Sequence, residues 1–442
     1  MQGKYSELQR SELCSVFYKK ALKYPGFSIN YFLHPMSLSN TLLTIPNKKI
    51  TGTIHLTGSK SESNRALIMR ALSDDCIQIQ NLSMATDTLT LQRILSSHES
   101  IFDVGPAGTA MRFLTAYATL QAKETILTGS ERMKERPIGI LVNALSQLGV
   151  KIEYLEKEGY PPLKIKGPLQ QTDKKITIRG DVSSQYISAL LLIAPKLPLG
   201  LELHFEGELI SKPYVEMTLG MLEQAGIRYS WDEDCICIAP QSFHACTISV
   251  EPDWSEASYW YAMAALAKEA EIFLPGLNIY SLQGDSKIAE IMANFGITTQ
   301  FRGDGVLLKK EQKKLERNIF DFKECPDLAQ TVMVCCAALG HSATFTGLET
   351  LKIKETDRVK ALQNELAKLG TRLIEKNKVY KLDCSANSLP DRVFIETYDD
   401  HRMAMAFAPL ALVIQEVEIE NKQVVTKSYP HFWDDLKLVL GN

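Results

Sequence analysis

Four segments of the chain repeat one theme: an amphipathic helix, a glycine, then an extended run. They are LVNALSQLGVKIEYL, TLGMLEQAGIRYSW, AEIMANFGITTQF and LQNELAKLGTRLIE, with the glycines at 149, 226, 296 and 370. Glycine at such a point ends a helix in the left-handed conformation and lets a strand begin. The spacings of 77, 70 and 74 residues exceed those of the usual solenoids and predict a duplicated supersecondary unit. Between the repeats lie SNRALIMRAL, GTAMRFLTAYATL, SSQYISALLLIA, EASYWYAMAALA, DLAQTVMVCCAALG and DDHRMAMAFAPLALV. These helices are apolar nearly all round and are expected to be buried, whereas the first set keeps a polar face for the outside. The pattern predicts an α/β protein with helices inside sheets.

At 442 residues the chain suits two domains of about 200 residues each. Its 45% apolar and 23% charged content is that of an ordinary globular protein. A net charge of −3 argues against a general binder of nucleic acid or anionic membrane. Anions would have to meet a local cluster of cations. The nine cysteines are odd in number and show no CxxC spacing, which predicts a reducing cytoplasm without disulfides. Cys335 and Cys336, inside TVMVCCAAL, are expected to be buried thiols. The longest apolar run, Met403 to Ile414, has 12 residues, short of the roughly 18 of a membrane span. The first 35 residues carry charges throughout and lack the apolar core of a signal peptide. Strand character begins after Met36, and residues 1–46 read as an extension ahead of the globular part.

Four arginines break a rule of helix electrostatics. A helix N-terminus carries about +0.5 of a charge and disfavours a cation there by roughly 0.3–1 kcal/mol. Yet Arg65, Arg112, Arg358 and Arg402 fall at predicted helix starts. A bound anion would reverse the sign at each of them. The alternative is local pairing, with Asp357 beside Arg358 and Asp400 near Arg402. Four together favour a shared polyanionic ligand.

The surrounding motifs fit such a ligand. GSKSESNR at 58–65 offers two hydroxyls, a Lys and an Arg at a strand-to-helix turn. It lacks the spacing of a P-loop. GPAGTAMR at 105–112 would let backbone approach a ligand at Gly108. RMKERP at 132–137 places three cations before Pro137, which is expected in the first turn of a helix. VSSQ at 182–185 supplies two hydroxyls and an amide, of which an N-cap explains one. In KETDR at 354–358, Lys354 and Arg358 are expected on one helix face. Asp327 opens a buried helix after Pro326, and either it or Glu355 could serve as general base or acid.

Taken in order, GSKSESNRA, GTAMRF, RMKERPIG, SSQYISALL, SKPY, KETDR, DDHRMAM and TKSYPHF resemble the 5-enolpyruvylshikimate-3-phosphate synthase family. The likeness runs from about residue 47 to 440. It implies a two-domain inside-out α/β barrel of six repeated βαβαββ units, with helices buried within the sheets. One domain would hold 47–58 and 253–442, the other the inserted 59–252, with the active site in the cleft between them. Crossovers are expected near Gly58–Lys60 and Glu251–Trp254. Like charges from the two domains would then face one another across this cleft and hold it open until an anion enters.

The resemblance also implies the substrates, shikimate 3-phosphate and phosphoenolpyruvate. Contacts with the first carry over to Lys60, Ser61, Arg65, Ser183, Ser184, Gln185, Ser211, Tyr214, Asp327 and Lys354. Contacts with the second carry over to Lys60, Gly108, Arg136, Gln185, Arg358, Arg402 and Lys427. Catalytic roles fall to Asp327, Glu355 and Lys60, with His401 nearby. The family needs no metal or organic cofactor, and a cytoplasmic monomer with no nucleic-acid or membrane partner is expected. It is similar to the target of the herbicide glyphosate. The chain departs from the family pattern at Pro106, where Asn is frequent, at Phe113, where Pro is common, and at Thr350, where some members use Asn. Two other readings are weaker. A UDP-N-acetylglucosamine enolpyruvyl transferase would carry a reactive Cys in the loop that here reads GSERMKERP, and an inactive phosphoshikimate-binding protein would lack Asp327 or Glu355.

Overall fold

The computed structural model describes residues 39–440. Met36, Cys14 and the remainder of 1–38 lie outside the described residues, as do 441 and 442. The folded chain starts earlier than the sequence suggests. Thr41–Leu43 is a strand paired antiparallel with Val417–Ile419, and Ile45 is 5% exposed in the core. Three strand residues are too few to carry a periodic signal.

Each repeat glycine has a positive φ: +96° at Gly149, +82° at Gly226, +81° at Gly296 and +70° at Gly370. Only glycine adopts this backbone cheaply, and each glycine follows a helix with an exposed face. The unit built around them is plain in the sheet of residues 101–166. Ile101–Asp103 leads through helix Gly108–Ala118 to Glu124–Thr128, then through helix Gly139–Gln147 to Lys151–Tyr154 and Leu163–Lys166. The first two strands are parallel, and the fourth inserts antiparallel between the second and the third. Sheets opening with Lys175–Arg179, Ile319–Asp321 and Lys49–Thr53 repeat this order. Two more sheets are abbreviated. One pairs only Ile77–Gln80 with Cys246–Ser249, and the other joins Thr41–Leu43, Glu416–Ile419 and Arg392–Ile395.

The apolar helices are buried as their sequences predict. In Trp254–Leu266 every residue except Ser255 is buried, including Trp254, Tyr259, Trp260 and Tyr261. Two cores result. One gathers buried residues from Ala66 to Ile248. The other gathers Ile45 to Leu56 with Trp254 to Val439. The chain therefore passes between cores twice, and the two passages lie side by side. Ser59 N donates to Glu251 O at 2.8 Å, and Asp253 N to Thr57 O at 2.9 Å.

Buried carboxylates fasten these passages. Glu256 accepts from Thr57 N at 3.0 Å and Thr57 Oγ1 at 2.6 Å. Asp253 accepts from Lys60 N at 3.0 Å, and Glu62 accepts from Glu251 N at 3.1 Å and Gln283 Nε2 at 2.9 Å. The donors are backbone, hydroxyl and amide groups rather than cations. Burial, with Glu251 and Asp253 nearby, therefore pushes the Glu62 carboxyl up to about 7.

A carboxyl raised by folding keeps its proton in the native state after the unfolded chain has lost it. Its stabilising contribution is full below the ordinary carboxyl pKa of about 4.5 and is lost as pH rises through about 7. We expect the melting temperature, followed from pH 5 to 8, to fall further in the wild type than in Glu62→Gln, which cannot titrate. Equal falls would show that Glu62 does not ionise over this range.

Candidate active site

The six buried helices share an origin. Lys60, Gly108, Ser184 and His401 are the first residues of four, Ser255 is the second of another, and Asp327 lies in the 3-10 turn that opens the last. All of them line one cavity. Six helix N-termini thus bring the positive ends of their dipoles to one place, an arrangement suited to anions, although Ser59, Ser183, Asp253 and Asp400 already accept from some of their N–H groups.

Charged side chains reinforce this. Asp87 joins Lys60 Nζ at 3.3 Å to Lys427 Nζ at 2.8 Å. Lys427 reaches Glu355 at 3.7 Å, and Arg136 Nη1 reaches the same carboxylate at 3.6 Å. Glu355 accepts from Arg358 Nη2 at 2.9 Å, and Arg358 Nη1 donates to Asp327 at 3.1 Å. Asp327 closes the chain with Arg402 Nη2 at 2.8 Å and Lys354 Nζ at 3.6 Å. Asp400 braces Arg358 from behind at 2.7 Å. The six cations exceed the four carboxylates by two charges.

Titration behaviour follows from this crowding. Burial would raise Asp327 and Glu355, but their cations prevail. Arg402, Lys354 and Arg358 hold Asp327 well below the usual carboxylate range, and Arg358, Arg136 and Lys427 do the same for Glu355. Burial, assisted by Lys60 and Arg402, keeps His401 neutral. Both of its ring nitrogens are buried and unpartnered, free to meet a ligand. Burial, with Asp327 nearby, pushes Asp285 up to about 7.

The structure gathers Ser61, Arg65, Gly108, Arg136, Ser183, Ser184, Gln185, Ser211 and Tyr214 around the cavity, together with Asp327, Lys354, Glu355, Arg358 and Arg402. Lys427 adjoins through Asp87 and Glu355. Several local expectations change. Lys354 ends a 3-10 turn while Arg358 starts the next helix, so the two do not share a helix face; they meet at Asp327 instead. Pro137 precedes the N-cap Ile138 and lies outside the helix, because the chain first makes a short helix at Glu131–Lys134. The cations from the two parts of the chain do not face one another bare: Asp87 stands between Lys60 and Lys427, and Glu355 between Arg136 and Arg358. Asp357 caps its helix through Lys360 N, leaving Arg358 to the distant Asp400. Arg112 lines the cavity, but its guanidinium is engaged by the carbonyls of Gly108 and Pro137, each at 3.1 Å.

The unusual Phe113 has a role. It is 1% exposed, and its ring centroid lies 5.4 Å from Arg65 Cζ, giving the guanidinium a π face. Pro106 keeps its carbonyl as acceptor for Lys427 Nζ at 2.7 Å. Asp87 and Asp285 escaped sequence reasoning, and Thr350, noted there only as a departure from the family pattern, joins them at the site. Asp87 looks like an ordinary acidic residue in a helix first turn. Thr350 lines the cavity with its hydroxyl buried and unpartnered. Asp285, in the short 3-10 helix Gly284–Lys287 that carries no motif, accepts from Tyr214 Oη at 3.5 Å.

The fold is that of the enolpyruvyl transferases. An EPSP synthase from Acinetobacter baumannii superposes with a TM-score of 0.72 at 20% identity, covering 91% of this chain and 98% of that one. The enolpyruvyl transferase NikO from Streptomyces tendae gives 0.69 at 14% identity, with the same coverages of 91% and 98%. Sequence carries the assignment further. A family model for EPSP synthase (3-phosphoshikimate 1-carboxyvinyltransferase) matches residues 45–99 and 90–436. A 3-phosphoshikimate 1-carboxyvinyltransferase of Bacteroides fragilis is 48% identical over 398 residues, 90% of this chain and 97% of the relative. One from Colwellia psychrerythraea is 36% identical over 423 residues, 89% of this chain and 98% of the relative. The chain belongs to the EPSP synthase family.

Asp87→Asn keeps the shape of the link between Lys60 and Lys427 but removes its charge. Breaking a buried pair from one side costs about 3 kcal/mol. We expect a lower melting temperature, with inorganic pyrophosphate restoring more stability to the variant than it adds to the wild type. An unchanged melting temperature would show that Asp87 does not hold the two lysines.

Proposed function

We propose that the site transfers the carboxyvinyl group of phosphoenolpyruvate to the 5-hydroxyl of shikimate 3-phosphate, with release of phosphate. The observation that carries this reading is the convergence of six helix N-termini on one cavity where five cations, Arg136, Lys354, Arg358, Arg402 and Lys427, surround two ionised carboxylates. Two anionic substrates need such countercharge, and an addition–elimination needs a base and an acid beside it.

Asp327 is the base for the 5-hydroxyl, since its cations keep it ionised. As the hydroxyl oxygen bonds to C2, C3 takes a proton from Glu355 and becomes a methyl group. The tetrahedral intermediate then loses that proton back to Glu355 as the C2–O bond to phosphate breaks, and Asp327 passes the hydroxyl proton to the departing phosphate, which leaves the base ionised again. Glu355 begins as a carboxylate held down by Arg358, Arg136 and Lys427. An entering phosphate and carboxylate compete for the same cations, so Glu355 becomes more basic as substrate binds, takes up a proton from solvent, and has it to give to C3. Lys60 and the cations Arg136, Arg358, Arg402 and Lys427 hold phosphoenolpyruvate beside Gly108 and Gln185. Ser61, Arg65, Ser183, Ser184, Ser211, Tyr214 and Lys354 hold shikimate 3-phosphate, and His401 offers its free ring nitrogens between them.

The two cores support domains of 47–58 with 253–442 and of 59–252. Among the described residues no helix is long and apolar enough to cross a membrane. We place the enzyme in the cytoplasm, as a monomer.

Phosphate release with both substrates tests the activity directly; the wild type should turn over, and no turnover would refute the reading. In the same assay Arg136→Ala should chiefly raise the KM for phosphoenolpyruvate, because that charge is needed in ground and transition states alike. Glu355→Gln should chiefly lower kcat. Equal effects of both changes on both constants would contradict these roles.

A methyl group at Gly108 would lie 2.7 Å from Arg136 Nη1 and 2.9 Å from Nη2, so the guanidinium must move. Glyphosate should compete with phosphoenolpyruvate in the wild type. Gly108→Ala should raise its inhibition constant by a larger factor than it raises the KM for phosphoenolpyruvate. Indifference of the wild type to millimolar glyphosate, or equal factors in the variant, would refute this.

A further inference from the structure

The segment that carries Lys354 and Glu355 is not held by its own secondary structure. It follows the end of a 3-10 turn and precedes the helix that starts at Arg358. Its carbonyls lie outside any helical ladder. Among the described residues, one group donates to them: the guanidinium of Arg132, at 3.1 Å from Nε to Glu355 O and 3.3 Å from Nη2 to Lys354 O. Arg132 lies in the short helix Glu131–Lys134, in the part of the chain whose buried residues form the other core. Glu135 steadies the guanidinium from its third nitrogen, with Nη1 to Oε2 at 2.8 Å.

The same short stretch touches Glu355 twice. Arg136 meets its carboxylate at 3.6 Å, and Arg132 meets its backbone. One contact sets the charge state of the side chain and the other sets where that side chain starts. Both are made across the cleft, so they exist only when the two halves are together. Arg132 itself is 43% exposed, does not line the cavity and has no contact with Asp327 or the other carboxylates that bind the inner cations. Its charge is partly neutralised by Glu135.

We infer that Arg132 is a positioning residue, a cross-cleft latch whose forked guanidinium fixes the Lys354–Glu355 backbone in the closed state and so aims Glu355 for proton transfer. This rests on the reaction proposed above. A fork that reaches two carbonyls needs the planar geometry of arginine, and a lysine keeps the charge without the fork. Catalytic groups a fraction of an ångström out of place lose rate before they lose binding.

The test is steady-state kinetics of the full chain with both substrates, comparing wild type, Arg132→Lys and Arg132→Gln. Exposure of the side chain leaves melting temperatures close to that of the wild type, which calorimetry checks. Both variants should lose kcat by roughly tenfold, about 1.4 kcal/mol of barrier, while the KM values change much less. Glu135→Gln, which frees the guanidinium to swing, should fall between them and the wild type. Wild-type rates in Arg132→Lys would overturn the latch and leave charge as the explanation. A raised KM for phosphoenolpyruvate at unchanged kcat would overturn it in favour of anion attraction. Absence of turnover in the wild type would instead refute the reaction, and the latch with it.

Discussion

Arg358 is 1% exposed, and its guanidinium is shared among Asp400, Asp327 and Glu355. A buried cation is tolerable only when its donors are satisfied and its charge is opposed. Removing any of the three carboxylates would leave charge stranded in a dry site, so the arrangement specifies itself. Asp400 is wholly buried and also caps the helix of Arg402. It therefore ties the position of one site arginine to the start of another's helix. Of the three carboxylates on Arg358, Asp327 and Glu355 line the cavity, while Asp400 does not.

The same design explains why the protein can bury so many cations at helix starts. The six inner helices are largely buried along their length and gather most of their charged side chains at the end that opens on the cavity. The cores shield the electrostatics from water, which strengthens every interaction in the site. Sheets on the outside provide the wall, and the left-handed glycines return the chain from outer helix to sheet with few residues spent.

The architecture was legible because it is periodic. Gly149, Gly226, Gly296 and Gly370 announced a repeat, and all-round apolar helices announced burial. Arg358 and Arg402 were legible as anomalies, but their partners were not. Neighbours in sequence, Asp357 for Arg358 and Asp400 for Arg402, were the obvious candidates, and packing exchanged them. Lys354 and Arg358 misled in another way, since spacing of four means a shared face only inside a helix. Asp87 was hidden because its residue type suits a helix start for a reason unrelated to the site. Arg132 stood within a basic run whose other members gave no sign that it would reach across to backbone.

The strand Lys49–Thr53 pairs in parallel with Glu269–Phe273, and Thr41–Leu43 pairs with Val417–Ile419. Everything in the Ala66 to Ile248 core is made after Lys49–Thr53 and before either of these partners. On the ribosome, the intervening half can complete its own contacts while these two early strands still wait. Long-range pairing of this kind is slow and leaves edges exposed in the meantime. The price of building a cleft from an inserted half is thus a nascent chain whose opening strands must be kept from other partners until its last residues emerge.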